Sequence, residues 1–236
     1  MRPDHAWPSS RNLELEAGRL HTAAAELSTG DEVSTLALSR LPVFFDLSAF
    51  AVAAATVFPQ TIFHALSPQG ALMVGSGLCA LPLLVGPVGS WLSRGLARRH
   101  GNGVSLTATH CLLGLGAMAI AFTPTASPDW MIIAFLATVR IVQGVAFGGI
   151  WRPLAHERQA DFATLVAAGL GLFLVAGLFA ALAAALPSAD FTAWGWRYPF
   201  LMGFVVNIVA LFASLRRLTD GRPRREGGIV RLVEPR

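Results

Sequence analysis

The sequence contains no lysine; all 18 basic residues among its 236 are arginine. Charge of either sign is scarce. Charged residues make up 14% of the chain, against about 25% in a typical soluble domain. Hydrophobic residues make up 54%, and the mean hydropathy is +0.57. This balance excludes an ordinary soluble domain and points to a polytopic membrane protein. There are only two cysteines, Cys79 and Cys111, both in apolar runs and matching no metal or redox spacing; they read as buried thiols. No nucleophile–base constellation or metal-ligand spacing is visible, so neither enzyme chemistry nor a metal or cofactor is expected. "GLGLFLVAG" lacks the preceding strand and the water that a phosphate loop needs. Met73, Met118, Met131 and Met202 are too scattered for a copper path. The first 35 residues lack a basic stretch followed by an apolar one, so no cleaved signal peptide is expected. A pI near 10.4 is what basic residues gathered on one side of a membrane protein produce, and it implies no nucleic-acid partner.

What the chain does have is six long apolar runs, at roughly 38–58, 69–92, 104–123, 130–151, 163–186 and 197–216. Each is close to the ~20 residues that cross a bilayer as a helix. Breakers separate them: "FPQ" and "SPQG", "SRGLARRHGNG", "TPTASPD", "RPLAHERQAD" and "LPSADFTAWGW". Arg2, Arg11, Arg19 and Arg40 precede the first run; Arg94, Arg98 and Arg99 lie in the second connection, and Arg152 and Arg158 in the fourth. Seven more, from Arg216 to Arg236, follow the last run. Sixteen of the 18 arginines thus fall on one side. The positive-inside rule places that side, with both termini, in the cytoplasm of a bacterial-type inner membrane. An even number of crossings requires the termini to share a side.

Three segments follow. Residues 1–35 form an amino-terminal segment in which Leu13, Ala17, Leu20, Ala24 and Leu27 share one helical face, fit to dock on a partner or the membrane surface. Residues 36–218 form the membrane domain, and 219–236 an Arg/Gly/Pro-rich tail expected to be disordered and drawn to anionic headgroups. Glycines recur inside the runs. Gly144, Gly148 and Gly149 in particular suit close helix packing, Gly144 and Gly148 forming a small-xxx-small pair. Trp194 and Trp196 read as an interfacial aromatic belt, with Arg197 capping the outer end of the sixth span. His110 reads as a hydrogen-bonded packing residue.

"RIVQGVAFGGIW", from Arg140 to Trp151, resembles the fourth-span R-x-x-Q-G-x-x-x-G-G motif of major facilitator superfamily transporters, and of their metabolite:proton symporter group in particular. "VFFDLSAFAVAAATVFP" is similar to that group's first span, with Asp46 at its aspartate. "LAHERQADFATL" is similar to the fourth connection, with Glu157 at its acidic position, and "WGWRYPFLMGFV" to the sixth-span entry. The resemblance runs in order from about Leu41 to Leu218 and covers the amino-terminal six-span half of such a transporter. It implies an all-α six-helix bundle resembling one half of a transporter whose substrate site lies between two halves. Two departures stand out. The second connection of the family carries Gly-x-x-x-Asp-Arg-x-Gly-Arg-Arg; here Gly89, Arg94, Arg98 and Arg99 remain while Ser93 stands at the aspartate. Ile150 replaces the acid of the Gly-Gly-Glu-Trp form.

An arginine inside an apolar run costs roughly 3 kcal/mol in lipid on insertion scales, so Arg140 requires a partner. Asp46 lies ~12 Å into its span from the cytoplasmic end and Arg140 ~16 Å from the same end, at 1.5 Å per residue. The resemblance places these spans side by side, which implies an Asp46–Arg140 ion pair, direct or through water. Gln143, one turn on, reads as an interhelical hydrogen-bond donor. Two functions are compatible with this pattern. One is a half-transporter that moves a small carboxylate with protons after pairing with itself or another half. The other is a non-transporting accessory subunit of a larger membrane complex, such as a respiratory one. Either way the partners are the lipid bilayer and a second membrane protein, as a homodimer or a hetero-complex.

Overall fold

A computed structural model describes residue 34 and residues 36–125, 127–150 and 157–220, without the side chains of 157–160 and 216–220. The amino-terminal helix expected at 9–30 and the basic tail lie outside the described residues. Among the described residues there is no strand. Six helices are long and apolar enough to cross a membrane. They are α1 (Leu36–Thr56), α3 (Pro68–His100), α4 (Asn102–Ala121), α5 (Asp129–Ile150), α6 (Glu157–Ala185) and α8 (Tyr198–Asp220). Short helices α2 (Phe58–Thr61) and α7 (Ser188–Ala193), with a 3-10 turn at Gly195–Arg197, fill the connections at one end.

The one large departure from the expected spans is α3. It continues for 33 residues to His100, so "SRGLARR" is helix and not a loop. Leu, Ala and Arg are strong helix formers, and nothing in that stretch forces a break before Gly101. Gly101, at φ +89°, then ends α3 in a conformation that favours glycine. Ser67 caps the other end, accepting from the Gly70 N–H at 3.1 Å, with Pro68 at the first helical position. At 1.5 Å per residue α3 is ~50 Å long, whereas the hydrocarbon core is ~30 Å thick. Its last turns, with Arg94, Arg98 and Arg99, therefore reach past the apolar layer.

The helices pack through small residues that fix direction and register. Gly144 of α5 lies against Pro82 and Val85 of α3, Gly148 against Gly86, Gly89 and Ser90, and Gly89 against the Val145 backbone. The numbers rise together, so α3 and α5 run parallel. A Cβ added at Gly144 would sit 2.8 Å from Val85 Cβ and 2.9 Å from Pro82 Cα, so only glycine permits this approach. Gly149 meets Thr109 and Gly116 meets Gln143, which makes α4 antiparallel to α5. Gly203 faces Ala117 and Gly114 faces Phe204, setting α8 antiparallel to α4. Gly171 of α6 abuts Phe44 and Phe45 of α1, and Arg40 hydrogen-bonds Thr164.

At the end away from Arg40 the core is aromatic. Phe58 meets Phe50, Phe63 and Trp196 edge-to-face, with centroids 5.3, 6.0 and 5.6 Å apart. Trp196 is wholly buried, so of the two expected belt residues Trp194 alone is exposed. The belt reading failed for Trp196 because the 3-10 turn folds it back under α2. Arg197 does not cap its own helix either. Its Nη1 donates to the Ala121 carbonyl at 2.8 Å, satisfying the C-terminal end of α4, where a cation is favoured. Of the two thiols, Cys79 is half-buried but Cys111 is exposed on the outer face of α4, against expectation. His110 is buried and its Nδ1 contacts the Leu106 carbonyl at 3.0 Å, as a packing histidine would.

Candidate functional site

The pattern of α1, α3, α4 and α5 brings Asp46, Arg140 and Gln143 together at mid-bundle. Arg140 Nη1 donates to Asp46 Oδ2 at 2.6 Å and to Gln143 Oε1 at 2.8 Å. Gln143 Nε2 donates to Asp46 Oδ1 at 2.8 Å. Both carboxylate oxygens are therefore occupied, each by a different residue of α5. The pair is sealed: the side chains of Arg140 and Asp46 are 0% and 1% exposed. Arg140 and Gln143 lie one turn apart on α5 and so share the face turned toward α1.

Three neighbours complete the site, and sequence reasoning did not single them out. Phe50, one turn beyond Asp46, places its ring 4.0 Å from the Arg140 guanidinium carbon. Gly116 of α4 makes room for Gln143, since a Cβ there would sit 2.5 Å from Gln143 Cγ. Arg140 Nε donates to the Leu78 carbonyl at 3.4 Å. That carbonyl has no helical donor of its own, because the residue four positions on is Pro82, which has no N–H. A proline in α3 thus frees an acceptor that a neighbouring helix uses. Pro82 spaced four residues from Leu78 was the available signal. Arg140 Nη2 has no hydrogen-bond partner among the described residues.

One turn nearer the arginine-bearing end lies a recess of about 510 Å³ between α1, α3 and α5. Leu47, Pro82 and Phe147 lie along its walls and Arg94 lines it too, eight residues beyond Gly86 on α3. The remaining members of the loop motif have other roles. Gly89 is a helix contact, as above. Ser93 is buried and its hydroxyl lies 3.0 Å from that of Ser105, which also donates to the Ser93 carbonyl at 3.1 Å. Where the resembling motif has an acid, this chain ties α3 to α4 through hydroxyls. Arg94, Arg98 and Arg99 are exposed. Among the described residues no group of histidine, cysteine and carboxylate side chains could hold a metal.

No protein-family model matches the chain. Among curated proteins it is 28% identical over 183 residues to the inner membrane metabolite transport protein YhjE of Escherichia coli, covering 73% of this chain and 42% of that one. It is 27% identical over 209 residues to the shikimate transporter of the same organism, covering 79% and 48%, and 28% identical over 183 residues to its alpha-ketoglutarate permease, covering 69% and 41%. The fold is that of about half of the proton:xylose symporter XylE. A double-tryptophan mutant of XylE superposes with a TM-score of 0.64 at 17% identity, over 84% of this chain and 48% of that one. XylE bound to 6-bromo-6-deoxy-D-glucose gives 0.60 at 16% identity. The chain spans about half the length of the relatives it matches. It is a six-helix membrane protein with the fold of one half of a major facilitator transporter, and its relatives include bacterial metabolite transporters.

Proposed function

We propose that this chain supplies one half of a proton-coupled symporter for a small carboxylate metabolite, completed by a second half, either another copy or a different chain. The observation that carries this reading is the sealed Asp46–Arg140–Gln143 network in a relative of metabolite transporters. Asp46 and Arg140 neutralise one another. A proton on Asp46 leaves the Arg140 guanidinium uncompensated in a low-dielectric interior, where a lone charge is costly. A substrate carboxylate restores neutrality, and Arg140 Nη2 is a donor free to receive it. Proton and anion therefore favour each other's binding, which is the thermodynamic content of symport. Phe50 covers the guanidinium and has to move for a carboxylate to arrive.

Pairing is supported by uneven burial. About half of the apolar windows of α1, α4 and α5 are buried within the bundle, but only 22% of those of α3 and α6. These are the two least buried flanks, ahead of α8 at 33%, and we assign them to the second half. The arginine distribution supports cytoplasmic termini in a bacterial inner membrane. The transport activities of the relatives favour transport over an accessory role.

The test is uptake of radiolabelled shikimate or alpha-ketoglutarate into proteoliposomes holding the full chain under an inward proton gradient. Wild-type uptake should collapse with the gradient and be abolished by Asp46→Asn. Absence of wild-type uptake of both compounds, in vesicles where crosslinking shows paired copies of this chain, would refute self-pairing as the route to transport of either.

A further inference from the structure

A second cavity lies away from the network. It is a groove of about 780 Å³ between the C-terminal part of α3, the start of α4 and α5. Arg98, Arg99 and His100 line its outer end, and Trp91, Leu92 and Leu112 its inner part. Seven residues separate Trp91 from Arg98, a rise of ~10 Å, and Leu112 lies ~15 Å along α4 from its start at Asn102. The groove therefore runs from cationic side chains down a wall of exposed apolar ones; Trp91 is 65% exposed and Leu92 44%. Because α3 outreaches the hydrocarbon core, the cationic end falls at headgroup depth and the apolar wall at acyl-chain depth.

Among the described residues this charge is not spent in an ion pair, since neither ion pair involves Arg98 or Arg99, and no Asp or Glu lines the groove. The C-terminal dipole of α3 offsets only about half a charge, against two full charges from the arginines. Ser93, at the inner edge, is occupied by its contact with Ser105. An excess of positive charge above an apolar channel open to the side complements one ligand class in the surroundings: an anionic phospholipid.

We propose that the α3–α4 groove is a binding site for an anionic glycerophospholipid, its phosphate held by Arg98 and Arg99 and one acyl chain laid along Trp91, Leu92 and Leu112. Phosphate is the shared chemistry of lipid and free anion; the apolar wall commits the site to lipid. The full chain, purified in mild detergent, is titrated by native mass spectrometry with phosphatidylglycerol, phosphatidylcholine and inorganic phosphate. Wild type should bind phosphatidylglycerol selectively. At about fivefold per basic residue near an anionic lipid, Arg98→Gln/Arg99→Gln should weaken it about 25-fold. Arg222→Gln/Arg225→Gln, which removes the same charge from the tail, should leave it within twofold. Ala108→Trp, which fills the groove at constant charge, should weaken phosphatidylglycerol binding at least tenfold and so separates a shaped site from a diffuse field. Equal affinity for the two lipids, equal losses in the groove and tail variants, or inorganic phosphate displacing the lipid at millimolar concentration would each overturn the proposal.

Discussion

A single methyl group on α4 should loosen an ion-pair network carried by two other helices. In Gly116→Ala the new Cβ would lie 2.5 Å from Gln143 Cγ and 2.9 Å from its Cδ and Nε2. Carbon atoms rest at about 3.5–4.0 Å, so Gln143 must retreat by about 1 Å. Its two hydrogen bonds, to Asp46 Oδ1 and from Arg140 Nη1, are both 2.8 Å long, and a 1 Å stretch loses them. Bonds to charged groups contribute about 1.5–3 kcal/mol each in water-soluble proteins, but interhelical bonds inside membranes average about 0.6 and reach about 1.7 kcal/mol. Taking the membrane values for both bonds, we expect a loss of about 1–3 kcal/mol. Gln143→Ala removes the same bonds and the colliding atoms together. The double variant should therefore be no less stable than Gln143→Ala alone, giving a coupling of the same size in a double-mutant cycle. Reversible unfolding in mixed micelles, titrated with sodium dodecyl sulfate, reads these differences. Additivity of the two substitutions within about 0.5 kcal/mol would refute the reasoning, because it would mean that Gly116 and Gln143 do not compete for one space.

Gly148→Leu should be far more severe: its side chain would drive into the Gly86 carbonyl and the Ser90 amide, where backbone cannot yield. Overpacking costs about 1–3 kcal/mol even where side chains can adjust; here loss of monodisperse protein on size-exclusion chromatography is expected, and a normal elution profile with unchanged unfolding would contradict the backbone contact. Arg197→Gln should lower stability by about 1 kcal/mol by releasing the Ala121 carbonyl, read by the same unfolding titration, with Arg197→Lys recovering part of the loss if charge at that helix end matters.

The ordering of apolar runs and arginines made the six crossings legible, because hydropathy fixes crossings; the Asp46–Arg140 meeting needed the resemblance as well, which put two spans with charges at similar depth side by side. The boundary of α3 was hidden. Arginines and glycines look like a loop in one dimension, yet a helix that rises out of the apolar layer needs no apolar sequence. Trp196 and Arg197 were misplaced for a related reason: belt and cap rules describe a helix alone, whereas the 3-10 turn hands both residues to neighbouring helices. Gly116 was one glycine among many, and only the position of Gln143 shows which of them cannot be alanine. The link from Pro82 through the Leu78 carbonyl to Arg140 crosses 62 positions, so half of it was readable from the proline rule and the other half required the fold.

The parallel seam between α3 and α5 has a mechanical consequence. Gly144, Gly148 and Gly89 put main chain against main chain, with no rotamers to rearrange. Such a pair behaves under load as one plank, not as two rods that slide. Asp46 belongs to α1, off the plank, and Arg140 is fixed to it. Any motion that admits a solute to mid-bundle is then a displacement of α1, carrying α6 through the Gly171 contact, against this plank. The separation of Asp46 from Arg140 becomes the coordinate along which that motion is measured.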